Sequence, residues 1–290
     1  MRYLFYPGCS MEGSALEYKT SMLAVLQAIG AEIKELDDWT CCGASVAPVM
    51  SDLLGLALPA RNLALAEQQS RRAGNGMEML IGCSACYTNF RRTILAAANP
   101  ATLTKINQAL EVENLTFRNT IQARHLLDVL ANDVDSQAIA DHVKRPLTGL
   151  HVAPYYGCQT VRPYSPYDDG QHPTSMTHIL EALGAQVHHH SHEAICCGTA
   201  LLTTKPEVGL KMVGEILQAA GSADCIATVC PMCHMNLDSY QHKASQVLGE
   251  PLKVPVLFLP QLIGLAFGLP DDVLLFKRHV VSAAPVLAKV

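Results

Sequence analysis

Ten of the chain's eleven cysteines fall into two sets of five: Cys9, Cys41, Cys42, Cys83 and Cys86, then Cys158, Cys196, Cys197, Cys230 and Cys233. Each set runs in the same order. A cysteine follows a tyrosine-glycine turn (YPGCS at 6–10, YYGCQ at 155–159), an adjacent pair precedes a glycine (41–43, 196–198), and a Cys-x-x-Cys closes the set (83–86, 230–233). Thiolates in such numbers bind soft metals or do redox chemistry. A structural zinc site takes four ligands, and so does a cubane iron–sulfur cluster. Five per set is one too many for either. Vicinal disulfides at 41–42 and 196–197 would explain the pairs but leave three further cysteines per set without a role. A larger or unusual cluster, with one thiolate bridging two irons, uses all five.

Composition narrows the setting. At 290 residues, with 49% hydrophobic and 16% charged residues, the chain can bury two ordinary cores without covalent staples. Its net charge of −5, with basic residues scattered, gives no footprint for a phosphate backbone and argues against nucleic acid as a partner. The start MRYLFYPGCS is too briefly apolar for a signal peptide, and the apolar run 254–270 is broken by Pro260 and Gln261. That run reads as a core strand followed by a helix, with no transmembrane segment. A cytoplasmic protein follows as the expectation, and in that reducing setting the cysteines point to metal ligation before disulfides.

The elements that position these residues are also written twice. LQAIGAEI at 26–33 parallels LEALGAQV at 180–187, and LIGCSACYTNF at 80–90 parallels ATVCPMCHMNL at 227–237. Short apolar strands are predicted at 3–6, 77–81, 150–155 and 225–229, each delivering a cysteine at its C-terminal end. Ser14 and Glu17 have capping-box spacing for a helix with Leu23, Leu26 and Ile29 on one face, stopping at Gly30, and its counterpart stops at Gly184. Pro59 and Pro206 suit the first turns of helices over 59–72 and 206–220. Residues 98–144 lack a counterpart of equal length and read as a connector with helices near 103–112 and 121–130. The fold class is therefore α/β, a tandem duplication of two strand-helix alternating domains with mainly parallel sheets related by a pseudo-two-fold. The expected domains are 1–145, including the connector, and 146–290. Ligands on such sheets gather beyond the strand C-termini, where the cysteines sit.

With gaps of 31 and 40 residues in the first set and 37 and 32 in the second, the paired signature resembles the CCG-domain signature of the heterodisulfide reductase B subunit over nearly the whole chain. The resemblance implies one non-cubane [4Fe-4S] cluster per set, held by all five thiolates, the two facing one another so that a disulfide is split between them. Zinc in one motif is the alternative occupant. It also implies partners: a C-type subunit with cubane clusters, a flavin-containing A-type subunit, and a disulfide or carrier-bound thiol substrate. The chain carries no additional ferredoxin-like cysteine run, so its electrons come through a partner. Related CCG proteins serve as iron–sulfur subunits of succinate, lactate and glycolate dehydrogenases, a non-catalytic electron-transfer role that stands as the rival reading. A composition rich in Ala, Leu and Gln points toward the bacterial sulfur-oxidising branch, whose relatives act on protein-bound lipoate.

Other residues carry weaker signals. His188, His189, His190 and His192 read as solvated or supporting histidines more than a dedicated metal site. His234 is placed for a proton or hydrogen bond near the site, or for packing. Arg91, Arg92 and Arg162 are possible anion contacts or solvated charges. Asn89 and Asn236, three residues after each last cysteine, suit a hydrogen bond to sulfur or a helix cap. Gly43 and Gly198 let the backbone turn sharply after each pair, and Cys225 reads as a structural core residue.

Overall fold

A computed structural model describes residues 1–74, 76–134 and 136–290. Two four-stranded parallel sheets form the frame. The first has order β2-β1-β3-β4, from β1 (Arg2–Tyr6), β2 (Glu32–Glu35), β3 (Glu78–Ile81) and β4 (Ala123–His125). The second repeats it as β6-β5-β7-β8, from β5 (His151–Tyr155), β6 (Gln186–Val187), β7 (Cys225–Thr228) and β8 (Val256–Phe258). The central strands β1, β3, β5 and β7 are almost wholly buried, as parallel strands covered on both faces must be.

Each sheet has its own outer core and shares an inner one. Helix Asp52–Arg72 covers the outer face of the first sheet, and Pro206–Ala219 that of the second. Between the sheets lies one continuous core to which both halves contribute, including Tyr18, Met22, Leu26 and Leu127 from one and Met176, Leu180, Phe258 and Leu262 from the other. The contacts across it are reciprocal. Helix Leu16–Ala28 packs on Leu259–Ala266, and Ser175–Ala182 packs on Leu126–Asn132. Reciprocity of this kind is the mark of an approximate two-fold.

Three local expectations are corrected. Ser14 and Glu17 form no capping box: the helix starts at Leu16 with Ala15 as an uncapped N-terminus, and the buried Glu17 carboxylate accepts from Arg278 Nε at 2.8 Å. Pro59 does not open a helix but lies inside Asp52–Arg72, whose first turn is capped by Ser51 accepting from the Leu54 N–H. That helix has 21 residues against 14 in Pro206–Ala219, so the longer first-half gap is taken up largely as helix. Finally, the pattern over 121–130 is not one helix. Ala123–His125 is an edge strand paired with Met79–Ile81, and the helix begins at Leu126. The "connector" therefore contains the first half's counterpart of β8 and helix Leu259–Ala266.

Candidate functional site

The three cysteine-bearing segments of each half converge where its strands end. β1 leads through Gly8 into the short helix Gly8–Met11 that carries Cys9, and β3 leads into Cys83, the N-cap of helix Ser84–Ala97, which carries Cys86. Cys41 and Cys42 arrive on the loop after β2. The second half repeats this with Cys158 in Cys158–Val161, Cys230 as N-cap of Pro231–Ser239, Cys233 within that helix, and Cys196 and Cys197 on the loop after β6.

The loops are fixed by the same bonds in each half. Tyr6 Oη donates to Thr40 O at 2.9 Å, and Tyr155 Oη to Ile195 O at 2.7 Å, the carbonyls just before each cysteine pair. Asn89 Nδ2 donates to Cys42 O at 2.7 Å, and Asn236 Nδ2 to Cys197 O at 3.1 Å. The two asparagines thus hold the backbone of the pair, and Asn236 Nδ2 also lies 3.7 Å from Cys197 Sγ. After each pair, the N–H of Gly43 donates to Cys41 Sγ and that of Gly198 to Cys196 Sγ, both at 3.4 Å. These glycines have φ of +71° and +75°, a region costly to any other residue.

The resulting nests are crowded with sulfur. Cys42 and Cys86 have Sγ atoms 3.1 Å apart. Cys42 is held down to about 4 by hydrogen bonds from Cys41 and then Cys86, while Cys41 is driven up by the same contact with Cys42 and by burial, with Cys9 adding to the effect. In the second half Cys196 is lowered to about 6 by Cys158, and Cys197 is lowered by Cys233. In both nests sulfurs are favoured as thiolates at a neighbour's expense, Cys42 against Cys41 and Cys196 against Cys158. Such a group becomes fully thiolate only around positive charge, which is what a metal centre supplies.

The backbone is shaped for an occupant as well. A Cβ at Gly157 would lie 2.9 Å from Cys233 Sγ, and one at Gly8 would lie 3.5 Å from Cys86 Sγ and 3.2 Å from Tyr6 Cε1. Glycine at these positive-φ turns keeps the cradle open to the sulfurs. With all eleven thiols free, the donor set and its cradle fit a thiolate-ligated cluster in each half.

The two nests touch. Cys230 is lowered by hydrogen bonds from Cys233 and then from Cys83 of the other half, and Cys83 is raised in turn by Cys230. Cys83, Cys86, Cys230 and Cys233 are buried at this junction, whereas Cys9, Cys41 and Cys196 are exposed. Each Cys-x-x-Cys helix is also covered by the opposite half, since Gly8–Met11 leans on Pro231–Ser239 and Cys158–Val161 on Ser84–Ala97.

The remaining sequence candidates take separate places. His188, His189 and His190 bond to Ser222, Glu193 and the Pro154 carbonyl respectively, and His192 to Ser191, so they do not converge. Arg162 donates to Ala194 O beside the pair loop and helps to lower Cys196. Arg91 donates to Tyr164 O at 3.4 Å, and Arg92 pairs with Asp52. Cys225 is a fully buried strand residue whose thiol burial pushes up.

Sequence reasoning missed the surroundings of His234. Its ring stacks on Phe258, with centroids 4.1 Å apart, and its Nε2 lies 3.0 Å from both Val256 O and His279 Nδ1. Asp238, one turn on, accepts from the N–H groups of Val280 and Val281. His234, Asp238 and His279 could together hold a metal ion, but their hydrogen bonds already close into a network tying the C-terminal segment to the second nest. Burial keeps both rings neutral, lowering His234 to about 3 and His279 to about 4.

The pattern of the CCG cysteine-rich domain matches residues 3–91 and 152–238. The chain is 35% identical to the 8-methylmenaquinol:fumarate reductase membrane anchor subunit of Wolinella succinogenes, over 97% of each chain. It is 29% identical to a protein of Archaeoglobus profundus that is like the heterodisulfide reductase B subunit, covering 94% of this chain and 92% of that one. Against the B subunit of the ferredoxin:CoB-CoM heterodisulfide reductase of Methanosarcina mazei, identity is 28% over 91% and 89%. Among solved structures, a hypothetical protein from Helicobacter pylori superposes with a TM-score of 0.74 at 17% identity. That match covers 97% of this chain and 52% of the other, and it speaks for the fold alone. Among the described residues no helix is long and apolar enough to cross a membrane.

Proposed function

The chain belongs to the CCG cysteine-rich domain family, and we propose that it is the catalytic iron–sulfur subunit of a heterodisulfide reductase-like complex. The observation that carries this reading is the meeting of two five-thiol nests, whose Cys-x-x-Cys turns share one side chain, Tyr18, bonded to the carbonyls just before Cys83 and Cys230. In this reading Cys9, Cys41, Cys42, Cys83 and Cys86 hold one non-cubane [4Fe-4S] cluster, and Cys158, Cys196, Cys197, Cys230 and Cys233 hold the second. When bound, each cluster supplies an electron and an iron site for one sulfur of a disulfide or dithiol.

The chain's own groups do the rest. Gly43 and Gly198 donate their N–H groups to the outer sulfurs and stabilise them as thiolates. Tyr6, Tyr155, Asn89 and Asn236 hold the pair loops in place, so that little reorganisation is needed as charge changes. Two adjacent sites bring both substrate sulfurs into one encounter, which replaces a bimolecular step by an intramolecular one. A C-type subunit with cubane clusters and a flavin-containing A-type subunit are the matching electron partners, in the cytoplasm, and protein-bound lipoate is the matching substrate of the sulfur-oxidising branch.

A second reading has its own observation. The 35% identical relative is a membrane anchor subunit of a quinol:fumarate reductase, and Val46, Val49 and Met50 stand exposed just after the first cysteine pair. In that reading the chain conducts electrons and positions partners without acting on sulfur. Iron, sulfide and zinc analysis of protein purified without air, followed by spectra with lipoamide and with a mixed disulfide of two thiol coenzymes, separates the two. Perturbation of both clusters by either compound supports the catalyst. Full iron with no response to either supports the conduit, and zinc in place of iron in one half defeats the two-cluster reading.

A further inference from the structure

The Tyr18 hydroxyl sits between the two nests, on the line where the halves meet. Its oxygen is 3.0 Å from the carbonyl oxygen of Gly82 and 2.9 Å from that of Val229. These are the residues immediately before Cys83 and Cys230, so one side chain holds both Cys-x-x-Cys turns. We propose that Tyr18 is a positioning residue that locks the two turns to one another and thereby sets the reduction potentials of both sites together.

Several features make the placement specific. The ring is fully buried and stacks on Phe258 with centroids 4.3 Å apart and planes 1° from parallel, which leaves the hydroxyl one direction to point. Gly82 admits it closely, since a Cβ there would lie 2.0 Å from Met11 Cε and 3.3 Å from Tyr18 Cε1. On the other side of the junction, Ser84 Oγ lies 2.7 Å from Thr160 Oγ1 and 3.2 Å from His125 Nε2. His125 Nδ1 accepts from the Leu127 N–H at 3.2 Å, so the ring presents Nε2–H to Ser84. The halves are thus stitched beside Cys83 from both directions.

Tyr18 also breaks the duplication. The match of 26–33 with 180–187 puts His172 at the corresponding position, an exposed residue before the second-half helix. A single hydroxyl therefore serves both halves. Its O–H dipole is directed at two carbonyl dipoles beside the ligand sulfurs, and hydrogen bonding around such sulfurs is one of the controls on cluster potential.

The proposal rests on the reading that both nests hold redox clusters, and its test is built to fail separately. In the full chain, purified without air, Tyr18→Phe keeps the ring and its stack and removes only the hydroxyl. Iron content should stay at the wild-type value, and the potentials of both clusters should fall together. Amide exchange of segments 82–86 and 229–233 should quicken in parallel by about five- to tenfold, the ratio that one lost hydrogen bond gives. Leu26→Ala, a core truncation in the same helix, should not single out these two segments. If Tyr18→Phe affects only 82–86, or moves neither potential in iron-loaded protein, the proposal is overturned. If the wild type holds no iron, the cluster reading fails, and the exchange of the two turns still decides whether Tyr18 locks them.

Discussion

Replacing Gly157 by alanine tests whether the nests are cradles for a bound cluster. The backbone there has φ of +69°, and the added Cβ would stand 2.9 Å from Cys233 Sγ. Gly157 combines that φ with a ψ of 172°, a region essentially reserved to glycine that costs a residue with a side chain about 1–3 kcal/mol. Gly249 provides the control, because its φ is +73° and a Cβ there meets nothing within 4 Å. Both variants should lose stability from strain, Gly157→Ala the more, because Gly249 with ψ of 18° lies in the left-handed region that side chains enter at lower cost. Only Gly157→Ala should push a buried sulfur, and metal sites tolerate ligand displacements of only about 0.2 Å. Anaerobic iron analysis should therefore fall from about eight to about four irons per chain in Gly157→Ala and stay near eight in Gly249→Ala, at four irons per cluster. Gly8→Ala, where the distance to Cys86 Sγ is 3.5 Å, should lie between them. Full iron in Gly157→Ala, or equal loss in Gly249→Ala, would refute the reasoning that the glycine keeps space for a ligated sulfur.

In the proposed reading each ligand set is closed within one half, so Cys42→Ser and Cys197→Ser should each abolish the cluster of their own half alone, and loss of both signals in either variant would point to a shared site. The buried histidines predict acid sensitivity. His125 is lowered to about 4, first by burial, so below the ordinary pKa of 6.5 the unfolded chain takes up a proton that the folded chain refuses. Stability contributed by its neutral form is complete above about pH 6.5 and falls as pH drops toward 4, by about 2 kcal/mol at pH 5 for this residue. A denaturation midpoint unchanged between pH 7 and pH 5 would contradict the assignment.

The parts of the molecule legible in the sequence are those specified by local pattern. β1, β3, β5 and β7 are short apolar runs ended by turn residues, and the structure places them at the centres of the two sheets. Pro206 does open its helix, because the preceding helix Thr199–Thr204 ends at Lys205 and the proline takes the first position of the next. Pro59 looks the same in isolation, but Ser51 and Asp52 supply an earlier start, and seven residues of helix precede the proline. β4 was hidden for a different reason. Ala-Arg-His has no strand pattern of its own and becomes a strand by pairing with Met79–Ile81, whereas its counterpart Val-Leu-Phe announces itself. Glu17 shows the limit most directly, since its spacing suits a local cap and its actual partner, Arg278, is 261 residues away.

The same distinction applies to the site. Cysteine order within each half is a local signal and could be counted, but the meeting of the Cys83 and Cys230 turns at Tyr18 joins positions that no spacing relates. It arises because two amphipathic helical layers, each unable to cover its own sheet alone, bury their apolar faces against one another in a common core. That core turns the strand ends of both halves toward one junction. The duplication therefore supplies more than two copies of a five-thiol set. Through the reciprocal packing it brings the buried cysteine turns side by side, leaves Cys9, Cys41 and Cys196 exposed, and lets a single tyrosine from one half hold both turns.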